Sequence, residues 1–154
     1  MLPGVTLLLA ACGGFLLAVL WFDLMFDVQV LRHRGEPALP DAALASIAGY
    51  YRRVTTEAHP MGRLVGAVML LGIAAALERT WRGAAPLGVR LLTLALVVAP
   101  AVLAGGRVYP NAIRLATRAD PPERQTALAR AICRDHLVCL ACIAAFLGLT
   151  LVAG

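Results

Sequence analysis

The stretch ADPPERQTALARAICRDHLVCLACIAAFLGLTLVA, Ala119–Ala153, decides the fold. It opens with Asp120 as a capping side chain, Pro121 at the first helical position and Glu123 at the third. That order is a helix-start signature. No breaker follows until Gly148, and the run from Leu137 onward carries no charge. One long helix is therefore expected from Pro121 to Ala153. Its first part stands outside the hydrocarbon and its second part crosses a membrane.

The rest of the chain repeats that character. Of the 154 residues, 60% are hydrophobic and only 15% are charged. This lies outside the soluble globular range and inside the membrane class. Earlier apolar runs cover Leu2 to Phe22, continuing as helix to Leu31, then Met61 to Leu77 and Leu87 to Gly106. A bilayer core needs roughly 17–25 residues of helix. The expected fold is all-α, a single integral membrane four-helix bundle over 1–154 with spans near 3–30, 61–78, 87–106 and 132–153. Leu9-Ala10-Ala11-Cys12 has the shape of a lipoprotein cleavage site. No positive residue precedes it and the apolar run continues past it, so the segment is read as a retained span.

The first long connection, Arg32 to Pro60, holds Leu44, Ile47, Tyr51, Val54 and Ala58 at helical spacing. Arg52, Arg53, Thr56 and Glu57 fall on the other side. An amphipathic helix at the membrane surface is expected there. The second connection, Glu78 to Pro86, is a short turn, and the third, Arg107 to His136, reads as long and Arg-rich. Small-residue pairs at Gly62 and Gly66, at Ala10, Gly14 and Ala18, at Ala101 and Gly105, and at Ala141 and Ala145 are expected to let helices approach. Pro100 is expected to kink the third span.

Every basic residue is arginine, and the net charge is +5. Eleven arginines lie on the side of the two long connections (32, 34, 52, 53, 63, 107, 114, 118, 124, 130 and 134) and three on the other (79, 82 and 90). The positive-inside rule then places the long connections in the cytoplasm and both termini outside, in a bacterial inner membrane. The arginines are scattered over connections rather than gathered for nucleic acid. The expected partners are the lipid bilayer and a second copy of the chain or a membrane complex.

That topology brings polar groups to one membrane face. Asp23 and Asp27, four apart, share one face of the first helix. His59 and Arg63, Arg107, Tyr109 and Asn111, and Arg134, Asp135 and His136 come to the same end. Carboxylates in a membrane segment face the bundle interior and pair with something; Arg63 and Arg107 are the expected cations. Asp23, Asp27, His59 and His136 are the candidate catalytic residues and the candidate metal ligands, being oxygen and nitrogen donors. Arg63, Arg107, Tyr109 and Asn111 are the candidate binding residues. The alternative is a set of ion pairs that locks the bundle end. Cys139 and Cys142 form a C-x-x-C inside the last span, but no second pair lies on a connection to relay electrons, and Cys133 alone would have to serve. Cysteine is also a common small core filler.

The stretch from Arg107 to Leu151 resembles the second half of bacterial anthrone oxygenase-like proteins, with Pro110-Asn111 in the place of the Pro-Asn stretch that ends their third helix and His136 just before the last span. The segment EAHPMGRLVGAVML, Glu57–Leu70, occupies the place of their polar, proline-bearing start of the second span. The resemblance implies a four-helix membrane fold and oxygenation of a polycyclic aromatic without an obvious cofactor. It carries over Asn111 and His136 as pocket residues. Three functions stand open from sequence. They are a structural or accessory membrane protein, an oxidoreductase or oxygenase for a lipophilic substrate, and a small proton-coupled carrier.

Overall fold

A computed structural model describes residues 3–152. Leu2 and Ala153, the outer ends of the first and last expected runs, lie outside the described residues. Helix α1, Pro3–Asp27, tightens into a 3-10 turn at Val28–His33. Helix α2, Asp41–Arg52, widens into a π turn at Arg53–Glu57. Then come α3, His59–Arg82, and α4, Leu87–Leu103, which passes through a second π turn, Ala104–Val108, into α5, Tyr109–Thr117. Helix α6, Pro122–Val152, completes the described chain. Among the described residues there is no strand.

Four helical runs are long and apolar enough to cross a membrane: Gly4–His33, Pro60–Arg82, Leu87–Thr117 and Pro122–Val152. The chain is thus an all-α membrane bundle. Its spans form a closed ring in which α1 packs on α3 and α6, and α4 packs on the same two helices. Neighbours run antiparallel. Gly13 of α1 meets Phe146 of α6 at one level, and Asp27 meets His136 at the other. Leu9, Ala75, Ala76, Val97 and Phe146 fill one layer of the interior. Leu16, Leu20, Cys139 and Ile143 fill the next.

The small-residue expectation is corrected. A Cβ added at Gly14, Gly62, Gly66 or Gly105 would meet open space, and Ala18, Ala141 and Ala145 are exposed. The close approaches are at Gly13, where a Cβ would lie 3.3 Å from the Phe146 ring, and at Gly72, 3.5 Å from Cys12. The buried residues Leu9, Cys12, Leu16 and Leu20 mark the face of α1 that turns inward.

The third connection is not a loop. Beyond Pro100 and the Gly105-Gly106 pair, the chain stays helical to Thr117, and α6 starts at Pro122. Arg118, with φ 52°, closes the short turn between them. Asp120 does not cap α6. Its carboxylate accepts two bonds of 2.7 Å from Arg114, through Nε and Nη2.

The long helix ends give α2 a protein surface to cover. Its apolar face, Leu44, Ile47, Ala48 and Tyr51, is buried in a cluster with Ala112 and Leu115 of α5 and Ala129 and Ile132 of α6. The amphipathic helix exists as expected, and its apolar stripe is satisfied by the protein. The link before it is pinned to α6: Leu39 N–H donates to Thr126 Oγ1 at 2.9 Å, and Arg130 Nη2 donates to the carbonyls of His33 and Glu36.

Candidate functional site

Where α1 leaves the bundle, α2 lies across it. This places two consecutive tyrosines over two carboxylates one turn apart. Tyr51 O–H donates to Asp27 Oδ1 at 2.6 Å, and Tyr50 O–H donates to Asp23 Oδ1 at 2.5 Å. The Tyr50 ring stacks on Phe26 of α1, with centroids 4.2 Å apart, and meets Tyr51 edge-on at 5.3 Å. Burial, followed by the neighbouring carboxylates, pushes both phenols above their ordinary range. They stay protonated and remain donors.

Helix α6 supplies the third member. His136 Nδ1 lies 2.6 Å from Asp27 Oδ2, and Nε2 lies 3.8 Å from Asp23 Oδ2. A carboxylate only accepts, so Nδ1 is the ring nitrogen that carries the proton toward Asp27. The Tyr51 hydroxyl stands 3.5 Å from the same Nδ1. Asp27 is fully buried, with both oxygens occupied. The separation between Nε2 and Asp23 exceeds a hydrogen bond, which leaves Nε2 open to a further partner.

His136, Asp23, Tyr50 and Tyr51 line one wall of a cleft of about 490 Å³. The opposite wall comes from the start of α3, with Met61, Arg63, Val65 and Met69, and from the second π turn with Tyr109 beyond it. Gly62, Gly66 and Gly105 also line it, which is why no neighbour stands near them. Both π turns border the cleft, through Thr55 and through Gly105. Such widened turns are frequent at functional sites.

The structure thus joins Asp23, Asp27 and His136 and sets Arg63 and Tyr109 on the cleft. It does not give the aspartates their expected cations. Arg107 lies 3.2 Å from buried Asp135, which Arg134 also approaches at 3.4 Å. Asn111 is half-buried and is not among the cleft residues. His59 opens α3, and its side chain lies outside the described residues. Among the described residues no three His, Cys, Asp or Glu side chains converge as metal ligands. All four cysteines are thiols; Cys139 is buried, with Sγ 4.0 Å from the Pro100 carbonyl oxygen. Sequence reasoning missed the roles of Tyr50 and Tyr51. The signal was available for Tyr51: it sits on the apolar stripe, and a buried phenol needs a partner for its hydroxyl.

The fold and the cluster define a four-helix integral membrane protein with a buried Asp–His–Tyr network at one end of its bundle. No family model matches the chain, and no curated protein or solved structure matches it either.

Proposed function

We propose that the protein is a membrane oxidoreductase or oxygenase in which His136 acts as general base on a lipophilic aromatic substrate. One observation carries this reading: His136 is fixed at Nδ1 by buried Asp27 while its ring lines an apolar cleft beside Asp23. An acid-oriented histidine with its other nitrogen open is an effective proton acceptor. The apolar lining and the position within the bundle suit a substrate that arrives from the bilayer. Arg63, exposed at the cleft, receives a substrate oxygen as it gains negative charge.

The chemistry balances with molecular oxygen as oxidant, the co-reactant that the resemblance to anthrone oxygenase-like proteins implies. A ring methylene gives a proton to His136 Nε2 and its electron pair to O2, forming a carbon–oxygen bond. His136 returns the proton to the distal oxygen. Loss of the second carbon proton then breaks the O–O bond, leaving a ketone and water. Asp23, accepting from Tyr50, stabilises the transient imidazolium.

A second reading is favoured by the same distances. The carboxylates, phenols and imidazole satisfy one another, as a lock for the bundle end would. The carrier reading has less support, because Leu16, Leu20, Cys139 and Ile143 fill the interior just beyond the cluster. The arginine distribution supports a cytoplasmic placement of the cluster, with both termini on the far side of a bacterial inner membrane.

The test is oxygen consumption by detergent-purified protein with anthrone as probe, wild type against His136→Ala. Turnover lost in a variant that keeps its helical spectrum supports the base. Wild type that consumes no oxygen over a panel of aromatics with acidic methylenes overturns the oxygenase. A variant that only melts earlier favours the lock.

A further inference from the structure

Outside the cleft, a second concavity of about 340 Å³ lies between the 3-10 extension of α1 and the outer face of α6. Arg34, Arg130 and Arg134 line it together with Val30, Leu31 and Leu137, and no carboxylate is among its lining residues. We propose that this groove holds the phosphate headgroup of an anionic phospholipid, independently of what the cleft does.

Charge is the first support. Among the described residues Arg34 and Arg130 form no ion pair. Arg130 donates through Nη2 to two backbone carbonyls, which hold the guanidinium in place without neutralising it. Arg134 reaches Asp135 only at 3.4 Å, and that carboxylate also faces Arg107. Nearby Glu36 is taken by His33 at 2.8 Å. Three positive charges thus converge on a groove with no carboxylate in its lining, Arg134 sharing Asp135 with Arg107.

Depth is the second support. The uncharged run of α6 begins at Leu137, one turn after Arg134. On α1 the carboxylates of Asp23 and Asp27 are taken by partners within the protein, and the exposed residues Trp21, Phe22, Met25, Val28 and Leu31 keep its outer face apolar up to Arg32 and Arg34. The groove therefore lies at the boundary between hydrocarbon and water, where lipid phosphates sit. Exposed Leu31 and Leu137 offer acyl chains an apolar wall below the guanidinium groups. Guanidinium is matched to phosphate by its planar fork of donors. Basic pockets between membrane helices bind anionic headgroups by this chemistry.

Native mass spectrometry of the full chain in detergent tests this, with phosphatidylglycerol, phosphatidylcholine and inorganic phosphate as separate probes. One phosphatidylglycerol should be retained in preference to phosphatidylcholine. The double variant Arg34→Gln/Arg134→Gln should weaken retention roughly fivefold for each arginine removed. Both side chains are exposed and buried Asp135 keeps Arg107 at 3.2 Å, so the melting midpoint in lipid-free detergent should fall little, which separates lost binding from lost folding. Arg82→Gln, at the far end of the bundle, should retain the lipid as wild type does. Equal retention of the two lipids, or full retention by the double variant, overturns the proposal. Inorganic phosphate binding as tightly as phosphatidylglycerol overturns the lipid as its source.

Discussion

His136 Nδ1 and Asp27 Oδ2 stand 2.6 Å apart across 109 residues of sequence. The contact ties the last span to the first, and Tyr51 closes it from α2. Removing the carboxylate strands an imidazole and a phenol that are both nearly excluded from solvent. Asp27→Ala should therefore cost about 3–5 kcal/mol of stability. Asp23→Ala should cost less, because its side chain is 16% exposed and it keeps only one close partner. Thermal unfolding in detergent, read by far-ultraviolet circular dichroism, compares the two. Equal losses would show that the buried pair is not the stronger lock.

The tyrosines differ in the same way. Tyr51→Phe deletes one hydrogen bond to a carboxylate in a fully buried setting, a loss of about 1.5–3 kcal/mol. Tyr50→Phe leaves the stack on Phe26 intact and opens Asp23 to the cleft. It should lose little stability and should change turnover more than melting. A Tyr50→Phe variant with wild-type oxygen consumption would remove the Tyr50–Asp23 hydrogen bond from the chemistry.

Much of this was legible in the sequence for a physical reason. Lipid demands long uncharged helices, so the four spans and the face shared by Asp23, Asp27 and His136 follow from run length and topology. The partners of the aspartates did not follow. Charge counting points to Arg63 and Arg107, whereas a neutral phenol leaves no mark in a charge pattern. The third span is read as ending at Gly106, yet the backbone there only widens into a π turn and continues. Glycines at helical spacing read as a helix contact, and only coordinates tell a contact from a cleft wall.

That distinction is testable at Gly66. A Cβ there meets nothing within 4 Å, and the residue lines the cleft. Gly66→Leu should fill the space facing His136 with little loss of stability. Oxygen consumption or binding of an aromatic probe should fall at least about tenfold, a loss of 1.4 kcal/mol or more. Gly72→Leu is the contrast, since a Cβ there would already stand 3.5 Å from Cys12 and 3.6 Å from Val97; it should destabilise the bundle. If Gly66→Leu melts as early as Gly72→Leu, the cleft is a packed contact in solution.

The turn between α5 and α6 should respond to acid. The bidentate bond from Arg114 holds the Asp120 carboxyl below its ordinary range. A group depressed on folding stabilises above its unfolded pKa, and that contribution fades as pH falls through the folded value. The pair is exposed and screened, so its effect is local and should shrink with salt. Hydrogen exchange at Arg118 and Ala119, corrected for its intrinsic pH dependence, should therefore lose protection below the usual carboxylate range, more so at low ionic strength. Asp120→Asn should flatten that dependence while leaving the network around His136 unchanged. Protection that instead falls as pH rises would mean that the Arg114 bond does not hold the turn.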